Sequence, residues 1–120
     1  MRVVIAIVLA AHGVAHLVGF VASWRLADLR ELPYKTTVFA GHLDVGDAGV
    51  KAIGVLWLVA ALAFVASGAA VALHADWAAR FTALMVVVSL ILCAAGWPDA
   101  RIGVAVNVAV GVLLVIARRV

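Results

Sequence analysis

Four long apolar runs, at Val3–Trp24, Ala52–Leu73, about Trp77–Trp97 and about Arg101–Ala117, leave this 120-residue chain almost nothing with which to face water. A helix needs roughly 20 apolar residues, at about 1.5 Å each, to cross a hydrocarbon core of about 30 Å. The first two runs are ample. The last two reach that length by borrowing their flanks, with Arg80 snorkelling outward. In lipid each backbone amide must find its partner within its own segment, so all four runs are expected to be helices. Residues 1–120 are therefore predicted to form one all-α membrane domain. It is a four-transmembrane-helix bundle with both termini on one face and a long polar loop between helices 1 and 2. Composition agrees: 68% of residues are apolar and 12% charged, whereas a soluble domain carries about 25% charged residues. No water-soluble surface can be assembled from that inventory.

Nine basic residues outnumber six acidic ones. They stand at the ends of the apolar runs and form no patch, which fits membrane anchoring and not nucleic-acid binding. Arg2, Arg80, Arg118 and Arg119 fall on the face of the termini. Arg25, Arg30, Lys35, Lys51 and Arg101 fall on the other, neutralised there by Asp28, Glu31, Asp44, Asp47 and Asp99. The Lys/Arg counts are nearly tied, four side chains and the amino terminus against five, and termini on the cytoplasmic side of a bacterial inner membrane are the expectation. Trp24, Tyr34, Trp57 and Trp97 gather towards the opposite face, as an interfacial belt would. The first run is too long for the apolar region of a signal peptide and is expected to stay in the protein. Cys93, the single cysteine, excludes an intramolecular disulfide and a CxxC motif.

Polar residues inside the runs follow helical spacing. His12, His16, Gly19 and Ser23 share one face of the first helix, and Met85, Ser89, Cys93 and Gly96 one face of the third. Gly103, Asn107 and Gly111 form a seam on the fourth, and Gly54, Ala61 and Gly68 a small-residue stripe on the second. Counted at about 1.5 Å per residue, His12, His16, Ser89, Cys93 and Asn107 lie at similar depth. They are expected to converge near the midplane. An ionisable side chain in the bilayer is a functional candidate by default, although an imidazole can equally be a hydrogen-bonded structural link. His16 and His12 are the candidate acid–base pair, since a neutral imidazole both accepts and donates a proton. Ser89, Cys93, Asn107 and Trp57 are the candidate ligand-binding residues beside them. His-x3-His also has the spacing of two zinc ligands on a helix. No HExxH glutamate accompanies it, and no metal is assigned.

The segment from Arg25 to Lys51 is long for a connection between bundle helices, where about 2–8 residues is usual. Leu26–Leu32 carries leucines at i, i+3 and i+6 and is expected to lie as a short interfacial helix ended by Pro33. Beyond it, TTVFAGHLDVGDAG (Thr36–Gly49) concentrates His42, Asp44 and Asp47. Asp47 or Asp44 is expected to cap the second helix, Asp47 being preferred, and Asp99 the fourth. His42 and Asp44 are expected to line the mouth of the bundle, with the whole stretch acting as a lid.

The elements AAHGVAHLVGF, LDVGDAGVKAIGVLWLVAA and WPDARIGVAVN resemble a group of small, uncharacterised four-helix integral membrane proteins of GC-rich bacteria. The general layout is also similar to DoxX-like proteins, in size and topology alone. The resemblance implies the four-span fold and brings no activity. From the residues, the leading expectation is a histidine-lined pocket that binds a lipophilic small molecule (a quinone, isoprenoid or lipid) and acts on it by acid–base chemistry. A proton-coupled transporter built as a homo-oligomer and a non-catalytic accessory subunit are the alternatives.

Overall fold

A computed structural model describes residues 1–118; Arg119, placed above on the terminal face, lies outside the described residues. Four helices follow one another: α1 (Arg2–Ser23), α2 (Gly46–Ala72), α3 (Ala78–Ala95) and α4 (Arg101–Arg118). The molecule measures 45 × 23 × 22 Å, and its long axis exceeds a hydrocarbon core of about 30 Å. By length and composition α1, α2 and α3 can each cross a membrane, and the apolar part of α4, Arg101–Ala117, is shorter. The chain is all-helical apart from one small hairpin and has the character of a membrane protein.

Apolar side chains cover the outside of the bundle as well as filling its core, and polar groups of the helices are buried among them. Val3, Ile7, Leu56, Leu62, Leu84 and Ile91 point outward, while His12, His16, Ser67, Thr82, Ser89 and Asn107 are buried. Two of the buried hydroxyls are silenced within their own helices, Ser67 donating to the Ala63 carbonyl and Thr82 to that of Ala78. The closest-packed helix pair is α1 with α2, and glycine makes it so. A Cβ on Gly13 would stand 2.7 Å from the Ala61 carbonyl oxygen, and one on Gly68 would stand 2.8 Å from that of Ala6. Backbone-to-backbone approach of this kind is what binds helices in lipid, where no hydrophobic force distinguishes neighbour from solvent.

Two helices stop by the same device without glycine. Arg25 (φ 53°) and His74 (φ 60°) take the left-handed conformation. The following amides, Leu26 N–H and Ala75 N–H, return to the carbonyls of Val21 and Ala70. This is a Schellman ending, which satisfies orphan carbonyls at a cost of about 1 kcal/mol for a residue with a Cβ. The expected interfacial helix over Leu26–Leu32 is absent. The chain instead doubles back, with the Arg25 guanidinium stacked 3.9 Å over the Tyr34 ring. The second helix begins at Gly46, before the expected apolar start, so Asp47 lies inside its first turn.

Within the connection, Thr37–Val38 (β1) pairs antiparallel with Leu43–Asp44 (β2). Phe39, Ala40 and Gly41, at the tip, all have positive φ. That turn aims two amides at the end of α3: Phe39 N–H donates to the Ala95 carbonyl (2.9 Å) and Ala40 N–H to that of Trp97 (3.1 Å). The hairpin thus supplies partners for carbonyls that a helix C-terminus leaves open, and is fixed over that end of the bundle.

Candidate functional site

His12 and His16 of α1, Ser89 and Cys93 of α3 and Asn107 of α4 do meet at one level. Their hydrogen bonds can be assigned from acceptors that cannot donate. His16 Nδ1 lies 2.7 Å from the His12 carbonyl oxygen, so Nδ1 carries the proton and Nε2 of the neutral ring accepts. Ser89 Oγ–H donates to that Nε2 at 2.6 Å. The Asn107 amide nitrogen is identified by the Gly103 carbonyl, 2.9 Å away, and it also donates to Ser89 Oγ at 2.8 Å. The amide oxygen therefore faces His12 Nε2–H, which donates to it at 3.2 Å. Every bond runs the same way round: His12 to Asn107, Asn107 to Ser89, Ser89 to His16, His16 back to His12. Aligned donors polarise one another, so such a ring is stronger than its separate bonds. It joins α1 to α4, α4 to α3, and α3 to α1.

Aromatic and sulfur neighbours pack against the ring; of the four imidazole nitrogens, His12 Nδ1 alone has no hydrogen-bond partner among the described residues. Phe64, with no exposed surface, sets its ring 4.8 Å from that of His12 and 5.0 Å from that of His16. Cys93 Sγ stands 3.8 Å from the Asn107 amide and occupies the space a Cβ on Gly103 would need. Ser89 and Asn107 are 0% exposed, and no fully buried side-chain nitrogen or oxygen lacks a partner among the described residues. A serine hydroxyl donating to an imidazole whose other nitrogen is held by an acceptor is the arrangement of a base-activated nucleophile. A nucleophile also needs a place about 3 Å away for the reacting atom, and here Asn107 already holds that position. Nor do three His, Cys, Asp or Glu side chains converge as a metal site would require among the described residues.

A cavity of about 330 Å³ lies one turn further along, and neither the four ring residues nor Cys93 borders it. Its walls are Gly19, Ala22 and Ser23 of α1, Val50, Ile53 and Trp57 of α2, and Ala95–Asp99 after α3; residues of the hairpin segment from Leu32 to Gly41 roof it. Trp57 separates cavity from ring. On one side its indole is 5.3 Å from the His16 ring. It also covers Gly19, where a Cβ would overlap the indole atoms, and reaches Gly96. It is thus a buried floor, 9% exposed, and not part of an interfacial belt.

The charged residues sit elsewhere than expected. His42 and Asp44 are exposed and outside the cavity lining. The Asp44 carboxylate accepts the Gly46 amide, holding the turn into α2. Asp47 does not cap; it pairs with Arg25 at 3.1 Å and accepts the Tyr34 hydroxyl. Asp99 pairs with Lys35 at 2.6 Å, tying the roof segment to the α3–α4 turn. The glycine seam on α4 is also partial, since a Cβ on Gly111 would meet open space. Sequence reading missed Lys35, Tyr34, Thr37 and Ser23 as cavity residues. No spacing rule brings the two sides of a 22-residue connection onto one turn of a distant helix.

Comparison with protein-family models, curated proteins and solved structures returns no match.

Proposed function

We propose that this is a four-span protein of a bacterial inner membrane, with termini on the cytoplasmic side, which binds a lipophilic small molecule in the hairpin-capped cavity. Support for the fourth span comes from α4 itself. It turns Ile102, Val108, Val112 and Val115 outward and Asn107 and Val110 inward, the same sorting as the other three helices. The single observation that carries the binding role is the cavity: about 330 Å³, mostly apolar, floored by a buried tryptophan and roofed by a hydrogen-bonded hairpin. Its size is at the small end of ligand pockets, about 300–1,000 Å³. Quinone, isoprenoid or lipid-like molecules reach such a site from the bilayer. Binding without acid–base turnover is preferred, because both ring nitrogens of His16 are occupied.

Native mass spectrometry of the protein released from nanodiscs tests this. The wild type is expected to retain a small molecule that Ile53→Trp, which fills the cavity, loses. No retained species, or the same species in both, would leave an accessory role without a ligand as the better account.

A further inference from the structure

The cavity holds polar groups of two kinds. Those at its rim are mutually engaged, Lys35 with Asp99 and Tyr34 with Asp47. Among the other lining groups, the Ser23 and Thr37 hydroxyls and the Trp57 indole N–H have no hydrogen-bond partner among the described residues. Trp57 is the informative one. It is buried, and no fully buried side-chain nitrogen or oxygen is left without a partner among the described residues. Its nitrogen therefore keeps accessible surface. The adjoining edge of the ring lies between Gly19 and Gly96, which both border the cavity. An indole N–H only donates.

Resting on the binding role argued above, we infer that the ligand is a neutral molecule presenting a carbonyl-type oxygen to the Trp57 Nε1–H at the cavity floor. The fixed donor demands an acceptor. The two hydroxyls can serve the same oxygen or a second one. An anion would have to take Lys35 from Asp99, and a cation the reverse, so the paired rim selects against charge. The remainder of the molecule lies against Val38, Val50 and Ile53.

Three probes of one shape separate the possibilities: 2-acetylnaphthalene, 2-ethylnaphthalene and 2-naphthoate, dialysed against nanodisc-held protein. Affinities are compared between wild type and Trp57→Phe for each probe, so partition into lipid cancels. The ketone is expected to lose about tenfold, the worth of one hydrogen bond, while the hydrocarbon changes less than twofold and thereby reports a folded variant. On wild type, the Trp57 indole proton resonance should move downfield with the ketone and not with the hydrocarbon. An unmoved resonance, equal losses for both neutral probes, or a loss for naphthoate at least as large as for the ketone overturns the inference. If Ile53→Trp still abolishes neutral-probe binding, the cavity remains a binding site and only the ligand class is wrong. If Ile53→Trp changes nothing, both fall.

Discussion

The middle of the bundle and its capped end carry similar polar residues and use them in opposite ways. At the middle, His12, His16, Ser89 and Asn107 bond to one another in a ring that crosses three helices and leaves only His12 Nδ1 of the imidazole nitrogens over. At the capped end, Trp57, Ser23 and Thr37 keep hydrogen-bonding capacity free beside open volume. A polar group sealed away from water costs several kcal/mol unless paired, so the sealed region must close on itself. The difference teaches that an ionisable residue within a span marks a site only when some of its bonding capacity is left over. Of the groups with capacity left over, the Trp57 N–H belongs to a residue that borders the cavity and His12 Nδ1 to one that does not.

Substitutions at the boundary and on either side should break this contrast by decreasing amounts. Gly19→Val, at the junction, puts a side chain where the Trp57 indole lies. It should cost about 3 kcal/mol, at the upper range for overpacking, and abolish probe binding, as read by thermal unfolding in detergent and by dialysis. Asn107→Leu strands His12 Nε2–H and the Ser89 lone pair and should cost about 2 kcal/mol. Because the ring does not border the cavity, probe affinity of the folded protein should stay within about twofold, well below the effect of one hydrogen bond. A collapse of affinity in Asn107→Leu at temperatures where it remains folded would show that the two regions are one. Lys35→Ala removes a partly exposed ion pair to the α3–α4 turn and should cost under about 1 kcal/mol. Its effect should fade in high salt.

Much of the ring was legible in the sequence. The i, i+4 spacing of His12 and His16, together with equal depths for Ser89, Cys93 and Asn107, brings these residues to one level. The closure of the ring was not legible, because it depends on which nitrogen of each imidazole bears the proton and on the flip of one amide. Trp57 was picked out from its position, but its role as a partition depends on the absent side chain of Gly19. The expectation of a lid over Thr36–Gly49 rested on the length and polarity of the connection alone. Its anchoring was not legible, since Phe39 and Ala40 bond through backbone amides in a left-handed turn that no side chain announces. Aspartates placed near helix starts suggested caps. Arg25, Tyr34 and Lys35, remote in sequence, take Asp47 and Asp99 instead.

Thiol accessibility compares the two regions within one molecule. Cys93 lies beside the ring and Ser23 borders the cavity, so the Ser23→Cys variant carries one reporter in each. Treated in nanodiscs with a small membrane-permeant methanethiosulfonate and mapped by mass spectrometry, position 23 should react at least about tenfold faster than Cys93, reactivity following exposure. Comparable rates at the two positions would mean that small molecules reach the polar ring, and would contradict a sealed centre beneath an open, capped site.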